Sequence, residues 1–413
     1  MSADPGPGKL EDSPPPDPRA AFVLALGRAL HSAGETANRL EDLLEQVSRR
    51  VGLEAQFFIT PTSIFAAFGP EAQQRTHLIR TVPSAPDLGQ LARLDIVVVR
   101  VLRGELEPGT GLAEIRLLQA SPAPSGALRV LGYALASACA ARVLGGGLRE
   151  VLVSGGIGLI VGLLSRLAEQ REGVRGLFEA LASFAGAFLV GVVAHLIGGL
   201  SLLIAALASL IVLVPGMSLT NAVAELTTRH LSSGTARLMS AFMVFIAMGF
   251  GAALAAQLVL VVFGTPPNAA VVPLPVWTEW LAIVAASVAF GLLLRASPQD
   301  FGWILLACLI GFTAARFSSQ LLGPELGMFM GALAVGIASS LLARWADQPV
   351  AITEVPGTLI LVPGSIGFRS ISALLEKEIV SGVETGFRVL LIAMSLVAGL
   401  LVANLLVRRP RRL

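Results

Sequence analysis

Leu213-Val214-Pro215-Gly216 recurs as Leu361-Val362-Pro363-Gly364, and each copy closes a strongly apolar run and opens a more polar segment. The offset is 148 residues (363 − 215), and the same ungapped offset carries Ser233-Gly234 onto Ser381-Gly382 and Gly251 onto Gly399. A register held without insertions over that distance predicts two copies of one architecture. Pro removes a backbone donor and Gly frees the chain to turn, so each copy predicts a break inside an apolar helix. In lipid such a break survives only where it is buried in protein or lines a polar cavity. The two breaks are therefore expected to form the working centre of the molecule.

The composition agrees with a chain built for lipid. Of 413 residues, 54% are hydrophobic and 14% charged, against about 25% charged in an ordinary soluble domain, and mean hydropathy is +0.76. The 43 glycines favour close helix packing, which also makes a homo-oligomer compatible with the sequence. A net charge of +2, with basic residues scattered or flanking apolar runs, gives no reason to expect a nucleic-acid partner. Cys139 and Cys308 fall in apolar runs and do not correspond under the offset, so they are expected to be buried small hydrophobes rather than a disulfide or metal site.

Taken in order, residues 1–18 form a Pro/Gly/Asp tail expected to be disordered. Residues 19–127 are amphipathic and predict a small α+β domain. Its expected helices are Ala21 to Ala33, Thr36 to Val51, Asp87 to Leu102 and Pro108 to Leu118, and its strands Glu54 to Thr60, Ile64 to Phe68 and Thr76 to Val82. Five apolar spans follow in residues 128–263, at 128–146, 148–166, 177–197, 199–214 and 235–263. After a linker, 264–275, the offset predicts five more in 276–413, at 276–294, 296–314, 325–345, 347–362 and 383–411. The fourth and ninth are short, as expected of discontinuous helices. Five spans is an odd number, so adjacent copies must enter the membrane in opposite senses. The expected fold is an α-helical membrane protein of two inverted five-helix repeats, ten spans in all, with a cytoplasmic N-terminal domain. Arg166, Arg171 and Arg175 then lie in the cytoplasm, as do both termini and the basic tail Arg408-Arg409-Pro410-Arg411-Arg412; Arg316, Arg369 and Lys377 fall on the outer side against the trend.

The segments after the breaks carry the candidate chemistry. Ser218 and Ser365 are suitable caps for second half-helices, whose free N–H groups favour a carboxylate. With Pro215, Gly216, Pro363 and Gly364 they outline a site for a small zwitterion or dicarboxylate. Arg369 could clamp a carboxylate, and Asn221, its counterpart under the offset, could serve as a neutral donor. Glu225 could hold an ammonium or carry a coupling proton, and Glu354, a carboxylate in an apolar run, is a second proton-coupling candidate. Blander readings stand beside these. A Pro-Gly pair can be a plain kink, Arg369 and Glu225 can be interfacial charges, and Glu354 can sit at a cytoplasmic mouth. His195 reads as interfacial; Asn404 and Gln257 read as interhelical donors. There is no G-x-S-x-G, H-E-x-x-H or Walker A pattern, so neither an enzyme nor an ATP-driven pump is expected, and no cofactor. The reading is a secondary transporter using an ion gradient. A channel, and a membrane-tethered hydrolase using His31, Ser32 and Glu35, are the alternatives.

From about Ala20 onward the sequence resembles the threonine/serine exporter family of bacterial inner-membrane proteins. Gly34-Glu35-Thr36 with Arg39 and Glu41 is similar to the family's G-x-E-T-x-R-x-E pattern, one residue short in spacing. Thr60-Pro61-Thr62-Ser63 is similar to its T-P-T-S turn, Gly104-Glu105-Leu106 to its G-E-L, and Leu361-Val362-Pro363-Gly364-Ser365 with Arg369 to the signature of its C-terminal half. The resemblance implies export of threonine and serine driven by the proton-motive force. Relatives split into two chains imply dicarboxylate export as well, and the family's N-domain has been considered a hydrolase.

Overall fold

A computed structural model describes residues 17–120, 126–171, 173, 176–346, 348–362, 364–375 and 378–407. Residues 1–16, Arg175, Pro363, the side chain of Ser365, Lys377 and the basic tail 408–413, all named above, lie outside the described residues. The described chain falls into two compact units, one within Met1–Ser84 and Arg93–Ser121, the other within Ala85–Ala92 and Pro122–Leu413.

In the first unit, α1 (Pro18–Ser32) and α2 (Ala37–Arg50) precede β1 (Ala55–Thr60), β2 (Ser63–Phe68) and β3 (Arg75–Arg80), followed by α3 (Leu88–Arg103) and α4 (Pro108–Ala120). Asp17 and Pro18, placed in the tail by composition, instead form the cap and first turn of α1. Asp17 accepts from the Arg19 backbone N–H, and Pro18 sits where a missing N–H does no harm. The strands make one antiparallel sheet in the order β1-β2-β3, with Thr60 paired to Ser63 across the two-residue turn Pro61-Thr62. Phe22, Leu26 and Leu30 of α1, Leu40 and Leu44 of α2, and Ile59 and Ile64 of the sheet are fully buried and form the core. Gly27 lets α1 approach α2, since a Cβ there would stand 3.0 Å from a Leu44 methyl.

The second unit is helical: α5 (Gly126–Val143), α6 (Leu148–Glu169), α7 (Phe178–Ile197), α8 (Leu202–Ser209), α9 (Gly216–Thr227), α10 (Leu231–Phe263), α11 (Trp277–Leu293), α12 (Phe301–Leu322), α13 (Pro324–Trp345), α14 (Ala351–Leu359), α15 (Gly364–Leu375) and α16 (Ile379–Leu406). Six helices among the described residues are long and apolar enough to cross a membrane, and a seventh span results if the bent run Leu202–Thr227 is counted as one. This is a multi-pass helical membrane protein. The expected spans all fall on helices, with two changes. The span placed at 296–314 begins at Phe301, because Pro298 directs a 3-10 turn over Pro298–Asp300 first. The fourth and ninth helices stop at Ser209 and Leu359, earlier than the Pro-Gly pairs, and leave helices of 8 and 9 residues.

The 148-residue offset persists in the folded chain. α9 and α15 are both 12 residues long and start at the equivalent glycines Gly216 and Gly364. Gly251 of α10 lies against α7, its would-be Cβ 3.0 Å from the Phe184 nitrogen, and Gly399 of α16 lies against α13, 2.9 Å from the Ala332 Cβ; Phe184 and Ala332 are themselves 148 apart. α7 packs on α10 as α13 packs on α16, and α5 packs on α11 where the two halves meet.

Contacts also sort the helix ends into two groups. In one, Arg142 at the end of α5 donates to Thr278 Oγ1 at 2.6 Å and to the Pro275 carbonyl at 3.2 Å, and Glu279 pairs with both Arg142 and Arg316. Leu200 bridges to Asn268 in the same group, and a Cβ at Gly147 would meet the Val272 carbonyl at 2.4 Å. In the other group, Arg129 at the start of α5 pairs with Glu169 at the end of α6, and Trp303 meets Trp345 edge-on.

Candidate functional site

The first break runs from the end of α8 through a 3-10 turn, Ile211–Leu213, to Val214 and Pro215, and the axis bends by 49° between Leu202–Ser209 and Ile211–Thr227. Small side chains of neighbouring helices bond to backbone carbonyls near both breaks. Ser154 Oγ donates to the Ala205 carbonyl and Ser137 Oγ to that of Ser209, each at 3.4 Å. At the second break Cys308 Sγ donates to the Pro356 carbonyl at 3.6 Å. Both cysteines are buried and reduced, Cys308 as part of this helix contact.

The two breaks touch each other, and they do so reciprocally. A Cβ built on Gly216 would lie 2.2 Å from Val362 Cγ1, and one on Gly364 would lie 2.7 Å from Val214 Cγ1. Val214 and Val362 are equivalent under the offset, as are Gly216 and Gly364, so each valine of one break covers the glycine of the other. The half-helices beyond cross in the same manner. α9 packs on α16 through Leu219 and Val223 against Val389, Ala393 and Val397. α15 packs on α10, with Gly367 against the Phe245 ring and Phe368 in one cluster with Leu213 and Met248. Leu219 corresponds to Gly367, and Ala393 to Phe245.

The residues singled out in the sequence occupy different settings. Gly216 and Gly364 form the contact, while Ser218 and Asn221 are half-buried on α9. Arg369 is exposed on α15, next to the buried Phe368 and Ser370, the latter bonded to the Gly382 carbonyl at 2.6 Å. Glu225 is fully buried at the end of α9, where Arg237 grips it with Nε and Nη2, both at 3.1 Å, and Ser233 Oγ donates at 2.8 Å. That pair closes the hairpin between α9 and α10 around Arg229, whose φ of 67° makes the turn. The sequence reading missed Arg237 as a partner. The only available signal was its distance of three turns from Glu225, which becomes meaningful once the hairpin is known. Glu354 is buried in the first turn of α14.

The family-motif residues of the first unit gather where the hairpin β1-β2 meets the first two helices. Glu35 Oε1 accepts from the Thr36 N–H at 3.0 Å, next to the start of α2, and Glu41 Oε1 accepts from the Ile59 N–H at 2.7 Å; Arg39 lies between them on α2. Thr60 and Ser63 join hydroxyls at 2.8 Å across Pro61-Thr62, and the Thr62 carbonyl accepts from Thr81. His31 Nε2 lies 2.9 Å from the Thr60 carbonyl, which can only accept, so that nitrogen carries the proton. With Ser32 exposed and the ring turned to Thr60 and Thr81, these bonds clamp a hairpin and give the hydrolase alternative no geometric support. Glu41→Ala should strand a buried backbone donor and lower the stability of this unit by about 1–3 kcal/mol; denaturant unfolding followed in the first unit would measure it.

A polytopic bundle in which two duplicated, interrupted helices meet at its centre defines a transporter-like membrane protein. Two family models match the chain: "Putative threonine/serine exporter" over residues 21–259 and "Threonine/Serine exporter, ThrE" over residues 279–406. The chain belongs to the threonine/serine exporter family. Among curated proteins it is similar to pheromone-regulated membrane protein 10 of Candida albicans, with 25% identity over 89% of this chain and 34% of that one. The proteins of the same name in Zygosaccharomyces rouxii and Eremothecium gossypii are 25% and 24% identical over 85% of this chain, and over 37% and 49% of theirs. The chain thus spans between a third and a half of the length of these relatives. No solved structure gives a significant match.

Proposed function

We propose that the protein is a secondary exporter of small amino acids, threonine and serine first, or of small carboxylates, working by alternating access around the joined breaks. The observation that carries this reading is the reciprocal contact of Val214 with Gly364 and Val362 with Gly216. When i touches j and the equivalent of j touches the equivalent of i, the halves are related by a local two-fold axis. Together with the two groups of helix ends, this favours ten alternating crossings, α8 with α9 as the fourth and α14 with α15 as the ninth. A two-fold lying in the membrane plane supplies two equivalent, oppositely facing conformations for rocking one repeat against the other.

In this reading residues 19–127 are a cytoplasmic module, 128–263 and 276–413 the two repeats and 264–275 an external linker, with both termini in the cytoplasm of a bacterium. Pro215, Gly216, Ser218 and Asn221 face a solute from the first repeat, and Gly364 and Arg369 from the second. The proton-motive force drives the cycle. Glu225 takes the proton: neutralising it would loosen its hold on Arg237 and free α9 to move against α10.

Proteoliposomes loaded with a panel of amino acids and dicarboxylates, under an imposed pH difference, test the whole reading. Saturable efflux that follows the pH gradient supports it, while unsaturable, uncoupled flux would indicate a channel. Arg369→Ala is expected to lower efflux at least about tenfold, the loss of one charge-assisted bond of ~1.5–3 kcal/mol, with unchanged thermal stability because the side chain is exposed. Wild-type efflux from that variant would remove Arg369 from the site.

A further inference from the structure

The start of α8 is held by a carboxylate that belongs to another helix. Glu150, the third residue of α6, is 4% exposed. Its Oε2 accepts the Gly147 N–H at 2.9 Å, within its own helix turn, and its Oε1 accepts the Ser201 N–H at 3.0 Å, directly before α8. Among the described residues no arginine, lysine or histidine pairs with it. The two N–H groups and the α6 N-terminus support its charge instead. Neighbouring elements bring no competing charge to this end. On α5 the charged group is Arg142, committed to Thr278, the Pro275 carbonyl and Glu279. On α7 it is His195, whose Nδ1 donates to the Gly191 carbonyl at 2.9 Å and whose ring lies against Phe263. Arg149 of α6 is exposed, and neither α8 nor the linker 264–275 contains a titratable residue.

Protonation changes what Glu150 can do. A carboxylate accepts with both oxygens, whereas the neutral acid turns one of them into a donor. One N–H must then be given up. The Gly147 bond closes within a single turn, while the Ser201 bond joins two helices across 51 residues, so the second is the one lost. The corner before Ser201 can then move, because Gly198 and Gly199, with φ of 72° and 132°, carry no side chain to restrict it. The second repeat has neither half of this tie. Under the 148-residue offset Glu150 corresponds to Pro298 and Ser201 to Pro349, which has no N–H to offer. Acceptor and donor disappear together, so the bond is no part of the shared architecture. It gives one repeat a titratable tie that its counterpart lacks.

We propose that Glu150 is a proton-binding residue of the transport cycle. As a carboxylate it ties α8 to α6; a proton from the linker side, external in the exporter reading, unties α8 and lets this half of the broken helix shift. The role in transport rests on that reading, but the tie is measurable without transport. The test is hydrogen–deuterium exchange of the purified full-length protein in detergent, read in peptides covering α8 and, for reference, α12 and α13. The pH is stepped from about 7.5 down to about 4.5, towards the carboxyl range. At the neutral end Glu150→Gln should exchange at the start of α8 about tenfold faster than wild type, the scale of one charge-assisted hydrogen bond. On acidification wild type should approach the variant, while α12 and α13 exchange alike in both. Ser201 has a φ of −71°, which proline adopts, so Ser201→Pro removes the donor without strain. Adding Glu150→Gln to Ser201→Pro should then change nothing in α8.

Equal α8 rates in Glu150→Gln and wild type at neutral pH, or a ratio between them that stays constant as the pH falls, would overturn the proposal. A rise shared by every helix would do the same. Protection of α8 that ignores pH, in protein whose efflux follows the proton gradient, would overturn the tie and leave the exporter reading intact; release of α8 by acid without efflux would do the reverse.

Discussion

Gly216→Ala should abolish most transport, and Val362→Ala should restore it. The methyl added at residue 216 would sit 2.2 Å from Val362 Cγ1, with the Gly364 Cα 3.4 Å away on the same side. A long flexible side chain that could swing aside would make such a clash cheap, but Val is stiff at χ1. Overpacking of this kind typically costs about 1–3 kcal/mol, relieved by pushing the two breaks apart. A shift of that size between conformations changes rates about tenfold or more. Shortening Val362 removes the offending methyls, so the double variant should recover most of the efflux lost by the single one. The equivalent pair, Gly364→Ala with Val214→Ala, should behave alike, its methyl meeting Val214 Cγ1 at 2.7 Å. Suppression in both pairs measures the contact as reciprocal.

The second large effect is expected at Glu225. Its side chain is fully buried and that of Arg237 is 19% exposed, so Glu225→Ala leaves a guanidinium with its carboxylate gone and little water to replace it. Removing one member of a buried pair costs about 3–5 kcal/mol, which should appear as a large fall in the melting midpoint and in the amount of protein recovered from the membrane. Glu225→Ala with Arg237→Ala should recover much of that loss, since neither charge then stays buried alone. Glu225→Gln keeps the Ser233 bond and mimics the protonated acid; it should fold but lose the dependence of efflux on the pH gradient. A Glu225→Ala protein as stable as wild type would mean that the pair does not hold the α9–α10 hairpin.

Much of this architecture could be read in the chain because the signals were local or repeated. Pro215-Gly216 and Pro363-Gly364 mark the breaks through backbone chemistry alone, and the offset between them placed α9 and α15, although these begin at Gly216 and Gly364, ahead of the expected caps Ser218 and Ser365, because the helix resumes directly after the proline. The alternating apolar residues around Thr60-Pro61-Thr62-Ser63 likewise predicted the β1-β2 hairpin found there. What stayed hidden depended on tertiary neighbours. Glu225 read as an ammonium or proton site, or as an interfacial charge, because its partner is reached only through a turn at Arg229, a residue with no glycine-like signature for positive φ. Arg142, Glu279 and Arg316 come from three helices and form one network that no spacing announces. The start of α12 was misplaced because hydropathy averages across Pro298, whereas the backbone responds to it.

Disulfide trapping across the breaks tests the central arrangement most directly. In a Cys139→Ala, Cys308→Ala background, Val214→Cys with Gly364→Cys and, separately, Val362→Cys with Gly216→Cys place paired thiols where Val214 and Val362 now touch the opposite glycines. Oxidation in native membranes should cross-link both pairs in high yield and arrest efflux until reductant is added. Both pairs remaining reduced in protein that still transports would contradict the joined breaks and the pseudo-two-fold axis inferred from them.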